Sequence, residues 1–266
     1  MDSIKRRLIA ADEPDPVIVR RAEGGSPFFL ICDHAGRRVP KALGDMGLPA
    51  AEFERHIAWD IGAAAVSRLM SDALDAPLVE QVYSRLVIDC NRDPAVESAT
   101  PEVSELTAIP ANVGLSQAAR TARIEEIFEP YHAAIAGLLD KRAKDGRETL
   151  LVAMHSFTPV FKGLARPWHV GVLYNRNPDL ARILFDLFEK EGDLVVGDNQ
   201  PYHISDETDY GIPIHGERRG IPHVELEIRQ DLIADAQGQQ AWAERLCRLL
   251  PEARDILNGK RAPWQR

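Results

Sequence analysis

Short apolar runs alternate along the chain with longer segments of helical periodicity. The apolar runs predict strands at residues 28–32, 78–82, 86–89, 150–154, 170–174, 194–196 and 224–228. The helical periodicity predicts helices at residues 51–74, 117–144, 178–191 and 239–257. Such alternation is typical of an α/β domain with a mixed, mostly parallel sheet and helices on both faces. No repeat or linker interrupts it, so we predict a single domain over residues 1–266.

The longest predicted helix, 117–144, contains a proline. Ile127, Tyr131 and Ile135 fall on one apolar face of this helix. Because Pro130 has no N–H to donate to the helix, we expect the helix to bend or split there.

The charge balance narrows the range of partners. The chain has 41 acidic residues against 32 Lys and Arg, a formal net charge of −9. It lacks the basic surface that binding to a phosphate backbone needs, so we expect neither nucleic acid nor an anionic membrane as a partner.

The cysteines and the apolar runs bear on the cellular compartment. Cys32, Cys90 and Cys247 are far apart, so neither a disulfide framework nor a cysteine zinc site is predicted. The first residues contain no apolar core of signal-peptide length, and no run of about 18 apolar residues occurs. We therefore expect a cytoplasmic protein, and no pattern indicates its oligomeric state.

Two histidines directly follow apolar runs. His34 comes after run 28–32, and His155 comes after run 150–154. Ligands bind at the carboxyl ends of parallel strands, and imidazole with carboxylate suits one zinc ion. The alternative is that each histidine is a hydrogen-bonded structural residue.

The third metal ligand has three readings. His56 and Asp60 are four residues apart on the predicted helix 51–74, hence on one face. They can both reach one ion, or His56 can donate to Asp60, or the face can be an ordinary polar surface.

Further polar residues lie where chemistry is expected. Glu225 and Glu227 share one face of an apolar strand, so at least one should meet a cation or a metal-bound water. Arg85 and Arg92, with Asn91, can form a fork for a carboxylate or pair with neighbouring aspartates. The irregular segment 198–220, which contains Tyr202, His203 and His215, is a candidate lid.

These residues together resemble the N-formylglutamate amidohydrolase family, from about residue 28 to residue 233. The resemblance rests on five motifs: His34, Gly36 and Pro40; Arg85, Asp89, Asn91 and Arg92; His155 and Ser156; Asn199 and Tyr202; and the strand with Glu225 and Glu227. It implies a fold related to zinc carboxypeptidases and aspartoacylases, that is, a zinc-carboxypeptidase-like (phosphorylase/hydrolase-like) α/β fold.

The resemblance also implies a reaction. One zinc ion would be held by His34 and His155, and Glu227 would be the general base. The substrate would be a small anionic N-acyl amino acid such as N-formylglutamate, hydrolysed to formate and the amino acid. Its carboxylate would be bound by four residues: Arg85, Asn91, Arg92 and Tyr202.

Two departures from the family pattern keep some roles open. Zinc carboxypeptidases use His-x-x-Glu, but Arg37 stands three residues after His34, so Asp60 is our choice for the carboxylate ligand. Family members tend to carry Gln where this chain has Glu225, so either Glu225 or Glu227 is the base. His215 is a candidate second proton shuttle.

Two other functions fit the same residues. One is a different zinc amidase, either a deacylase or a carboxypeptidase-like peptidase. The other is a metal-free protein that captures a carboxylate with its arginines. Six arginines in or beside the site segments predict a locally positive pocket: Arg37, Arg38, Arg85, Arg92, Arg218 and Arg219.

Overall fold

The computed structural model describes residues 7–260, and they contain one seven-stranded sheet. Its strands are β1 (Val17–Arg20), β2 (Phe28–Cys32), β3 (Leu78–Gln81), β4 (Leu150–Phe157), β5 (Val170–Leu173), β6 (Val196–Asp198) and β7 (His223–Arg229). Their order across the sheet is β1-β3-β2-β4-β7-β5-β6. The four central strands β3, β2, β4 and β7 run parallel, and β1 and β5 pair antiparallel with this group. The predicted mixed, mostly parallel sheet is confirmed.

Helices cover both faces of the sheet. They are α1 (Ala63–Leu74), α2 (Gln117–Arg123), α3 (Glu129–Lys144), α4 (Asp179–Glu191) and α5 (Ala236–Lys260). Helices α1, α4 and α5 pack together on one face, and α3 packs on the other with the segments around residues 39–58 and 82–112. Within residues 7–260, no helix is both long enough and apolar enough to cross a membrane.

Side-chain alternation on the central strands separates the two faces. Val224, Leu226 and Ile228 of β7 lie in the core beneath α1, α4 and α5. Glu225 and Glu227, between them, point to the opposite face. This face carries the cavity described below.

The helix around Pro130 deforms without breaking. A π-helical turn, Ile124–Phe128, joins α2 to α3, and Pro130 lies in the first turn of α3. The helical backbone is continuous from α2 to α3, and the wider hydrogen-bond spacing of the π-helical turn accommodates a residue that has no N–H to donate. Where the sequence predicts a bend or a split, the structure therefore has a π-helical turn.

Two predicted elements are wrong. Residues 86–89 form a turn, because the Ser84 hydroxyl accepts from the Leu86 N–H and donates to the Ala58 carbonyl. Of the predicted helix 51–74, only α1 is α-helical, preceded by a short 3₁₀ turn at Ala50–Glu54. Helix α1 begins only after Gly62, whose φ of +81° keeps the helix from extending towards residue 51. A Cβ at Gly62 would lie 2.2 Å from the Ile233 carbonyl oxygen.

We expect Gly36→Ala to lower the free energy of unfolding by about 2 kcal/mol or more. A Cβ at this position would lie 1.9 Å from the Val82 carbonyl oxygen, and backbone cannot move aside as a flexible side chain can. Chemical denaturation measures the change. Gly137→Ala in α3, where a Cβ meets nothing within 4 Å, is the control and should be neutral or stabilising. Equal stability of the two variants would contradict this account of residue 36.

Candidate metal centre and active-site cavity

The carboxyl ends of three neighbouring parallel strands bring the candidate residues together. His34 follows β2, His155 lies near the end of β4, and Glu227 is the register partner of His155 on β7. Asp60 arrives from the loop before α1, where its N–H donates to the His34 carbonyl at 3.0 Å. All four side chains are buried.

His34, Asp60 and His155 form a compact triangle of potential ligand atoms. His155 Nδ1 lies 2.9 Å from Asp60 Oδ2 and 3.2 Å from His34 Nδ1, and His34 Nδ1 lies 3.4 Å from Asp60 Oδ2. Ligands about 2.0 Å from a tetrahedral zinc ion are about 3.3 Å apart. The three atoms therefore fit one small metal ion, and this buried group can bind a metal.

A carboxylate lies against the other ring nitrogen of each histidine. His34 Nε2 is 2.7 Å from Asp89 Oδ1, and His155 Nε2 is 3.2 Å from Asp33 Oδ2. An imidazole whose Nε2–H faces a carboxylate turns its Nδ1 lone pair to the centre, which is the usual environment of a metal-binding histidine.

The buried charges also fit a divalent cation. Burial favours the neutral form of Asp33, Asp60 and Asp89, yet the neighbouring cationic groups lower the pKa of all three. Arg85 lies 2.7 Å from Asp89 and 3.5 Å from Asp60. Arg85 thus contacts two of the three aspartates and offsets one negative charge, and the two charges left over match one divalent ion.

The histidines compensate this excess when no ion does. Burial lowers the pKa of His155, but Glu225, Asp33 and Asp60 outweigh it and raise the pKa well above the ordinary value. The pKa of His34 is also raised, because Asp89 and Asp60 outweigh burial and the Arg85 charge. Two protons are equivalent in charge to a divalent metal ion, so metal and protons compete for these rings.

Asp60 reaches the centre by a different route from the one predicted. Residues 55–62 are not helical, so His56 and Asp60 share no helix face. His56 instead lies 3.5 Å from Glu105 at the side of the cavity. The hydrogen bond from the Asp60 N–H to the His34 carbonyl, and not a helical spacing, holds Asp60 at the centre.

Glu225 and Glu227 line the cavity beside the triangle. Burial raises the pKa of Glu227 to about 7 against the lowering effect of His155, and burial raises the pKa of Glu225 well above its usual range. Within residues 7–260, neither Oε2 atom has a hydrogen-bond partner. A carboxylate with a pKa near 7 and a free oxygen is suited to accept a proton at neutral pH.

The cavity has a volume of about 450 Å³ and is lined by His34, His155 and both glutamates, together with Arg85, Arg92 and Tyr202. Arg92 Nη1 bonds the Asn91 carbonyl at 2.9 Å and lies 3.8 Å from Asp209. Of the six arginines predicted near the site, only Arg85 and Arg92 line the cavity. Arg37 pairs with Glu54 and Arg219 with Asp140.

Asn91 lies at the cavity but its amide is already engaged. Its Oδ1 accepts from the N–H groups of Tyr210 and Gly211, both at 2.9 Å, and its Nδ2 donates to Asp209 at 3.1 Å. The side chain therefore ties down residues 209–211 of the predicted lid 198–220, which also carries the cavity-lining Tyr202.

His215 is not brought together with the other candidates. It is 2% exposed and its Nε2 lies 2.9 Å from His132 Nδ1, with the two rings stacked at 15°. Burial and the neighbouring His132 lower the pKa of His215 to about 3. The ring is absent from the cavity lining.

The sequence reasoning missed the carboxylates beside the histidine Nε2 atoms. Asp33 was visible as the neighbour of His34, yet it faces His155 on the adjacent strand. Asp89 was read as a partner of Arg85, and it contacts His34 as well. The pairing of β2 with β4 brings Asp33 to His155, and the loop that follows β3 brings Asp89 to His34.

The chain matches one protein-family model and several solved structures. The family model of N-formylglutamate amidohydrolase matches residues 26–234. A crystal structure of a gene product from Agrobacterium tumefaciens is 37% identical, covers 95% of this chain and 100% of that chain, and superposes with a TM-score of 0.91. No curated protein matches the chain.

Two more distant solved structures also match the chain. N-formylglutamate amidohydrolase from Ralstonia eutropha JMP134 is 20% identical over 92% of this chain and 100% of that chain, with a TM-score of 0.65. An aspartoacylase family protein from Mesorhizobium loti is 15% identical over 90% of this chain and 64% of that chain, with a TM-score of 0.37. The family match spans most of the chain and agrees with the motifs at the strand ends, so the chain belongs to the N-formylglutamate amidohydrolase family.

Proposed function

We propose that this chain is a zinc-dependent amidohydrolase that cleaves the amide of an N-acyl amino acid, with N-formylglutamate as the first substrate to test. Family membership supports hydrolysis of an amide. The observation that carries the metal dependence is the triangle of two Nδ1 atoms and one carboxylate oxygen, with an aspartate beside each Nε2.

The proposed metal would be held by His34, Asp60 and His155. Zinc bound there supplies a Lewis acid that polarises the amide carbonyl and lowers the pKa of a water. Glu227 accepts the proton of the attacking water on its unpartnered Oε2 and passes it to the departing amine nitrogen.

Arg85 and the two outer aspartates complete this arrangement. The Arg85 guanidinium lines the cavity and is placed to stabilise negative charge that develops on the amide oxygen. Asp33 and Asp89 hold the imidazoles in the orientation that the centre needs. Both roles rely on groups that the fold fixes before substrate arrives.

Removal of a ligand should abolish metal binding and turnover together. We expect His155→Ala to bind less than about 0.1 equivalent of zinc and to lose N-formylglutamate hydrolysis, because only two of the three ligands remain. Metal analysis by mass spectrometry and a formate-release assay measure both. His169→Ala, remote from the cavity, is the control. Full activity of chelated wild-type protein would refute the zinc proposal, whereas no bound zinc after metal reconstitution would favour the other reading, a carboxylate-binding protein.

The two glutamates should differ when each is replaced by its amide. We expect Glu227→Gln to retain metal and to lower kcat by about 10²- to 10⁴-fold, because it removes the proton acceptor. Glu225→Gln should change kcat much less, since burial raises the pKa of Glu225 well above its usual range and so favours the uncharged form that glutamine resembles. The reverse pattern in steady-state kinetics would make Glu225 the base.

The outer carboxylates should affect metal affinity more than folding. We expect Asp33→Asn to weaken zinc binding by about 10- to 100-fold, because the amide no longer supports the charge of the His155 ring. Competition with a chromophoric chelator measures the affinity, and circular dichroism checks the fold. An unchanged dissociation constant would show that Asp33 does not support the centre.

A further inference from the structure

The arginines of the cavity are already engaged with acidic groups. Arg85 lies between Asp89 and Asp60, and Arg92 lies near Asp209. Their positive charges therefore offset aspartates of the protein itself. A substrate that carries carboxylates needs a further cation with free hydrogen-bond donors.

Arg166 meets this requirement. It follows a small hairpin (Val160–Phe161 and Leu164–Ala165), and its N–H donates to the Pro159 carbonyl at 2.8 Å. Among residues 7–260, no carboxylate lies within ion-pair distance of its guanidinium. Its one side-chain hydrogen bond there runs from Nη1 to the Tyr202 hydroxyl at 2.9 Å.

Aromatic rings hold this guanidinium in place. Its central carbon lies 4.6 Å from the Phe161 ring centroid, 4.7 Å from that of Tyr202 and 5.8 Å from that of Phe157. Stacking on rings fixes the guanidinium plane and leaves its edge available. Nε and Nη2, the pair that grips a carboxylate side-on, make no other hydrogen bond to the described residues.

The guanidinium is not itself part of the cavity lining, but two of the rings that it contacts are. Phe161 and Tyr202 line the cavity, and Tyr202 is 40% exposed, so these rings form its rim. Burial raises the pKa of Tyr202 and the Glu227 charge adds to the effect, which places the ring within electrostatic reach of the proposed base.

We propose that Arg166, held by Tyr202, binds a second carboxylate of the substrate and thereby selects N-acyl amino acids with an acidic side chain. This rests on the proposed function. The α-carboxylate is attached to the carbon next to the scissile nitrogen and so stays near the centre. The side-chain carboxylate extends further, towards the rim residues Phe161 and Tyr202 on which Arg166 stacks. A bidentate pair with this guanidinium would fix the far end of the substrate.

The test compares N-formylglutamate with N-formylglutamine, which differ only in the charge and donors of the side-chain end. We expect Arg166→Gln to lower kcat/KM for N-formylglutamate by about 10- to 100-fold, mostly through KM, and to change kcat/KM for N-formylglutamine less than about threefold. Arg166→Lys, which keeps charge but loses the fork, should fall between wild type and Arg166→Gln.

Arg182→Gln is the matched control. Arg182 also stacks on a tyrosine, with its guanidinium carbon 5.1 Å from the Tyr174 ring centroid, but it pairs with Asp198 at 2.7 Å. Its replacement should leave the ratio of the two substrates unchanged. Equal loss of both substrates in Arg166→Gln, or no loss of either, would overturn the proposal.

A binding measurement separates this inference from the proposed function. Isothermal titration of the two compounds into Glu227→Gln protein, with and without Arg166→Gln, requires no turnover. A preference for N-formylglutamate that Arg166→Gln removes supports the Arg166 site even if wild-type protein hydrolyses neither compound. Hydrolysis by wild type with no such preference would leave the proposed function standing and refute the role of Arg166.

Discussion

The rest of the site depends on one electrostatic constraint, the burial of three aspartates near a single arginine that contacts only two of them. Asp33, Asp60 and Asp89 are almost fully buried, and Arg85 offsets only one of their charges. An uncompensated buried carboxylate is costly, so the remaining charge must be met by cations in contact with it. The two imidazoles lie in those contacts, where protons or a divalent ion balance the centre. The balance of buried charges and the geometry of the ligand atoms therefore both fit one divalent metal ion.

The sheet supplies the precision that this centre needs. Parallel register sets His155 beside Glu227, while strand alternation points both away from the helices α1, α4 and α5. The remaining ligand comes from a loop, and that loop is fixed by backbone bonds. Asp60 donates to the His34 carbonyl, and Ser84 anchors the neighbouring Ala58. Rigid strands with tightly bonded loops hold ligand atoms better than flexible loops alone.

Much of this arrangement is visible in the sequence because its signals are local. Apolar runs that end in His34 and His155 identify the sheet edge, and the alternating strand identifies the glutamates. Asp60 was selected on a helical spacing that does not exist, since Gly62 and the Ala58 contacts keep that segment irregular. The pairing of each aspartate with a histidine depends on contacts between residues as much as 122 positions apart. No sequence pattern within one segment contains that information.

The distribution of arginines shows why counting charges along a sequence misjudges a pocket. Most arginines in the site segments are used against acidic groups of the protein, as Arg37 is with Glu54 and Arg85 is with Asp89. A cation that is already paired adds little attraction for a substrate, because the substrate must compete with an internal carboxylate. On a chain of net charge −9, affinity for an anion must come from cations without acidic partners. Under our two proposals, this affinity would come from a metal ion held by His34, Asp60 and His155 and from Arg166, which stacks on the rim residues Phe161 and Tyr202.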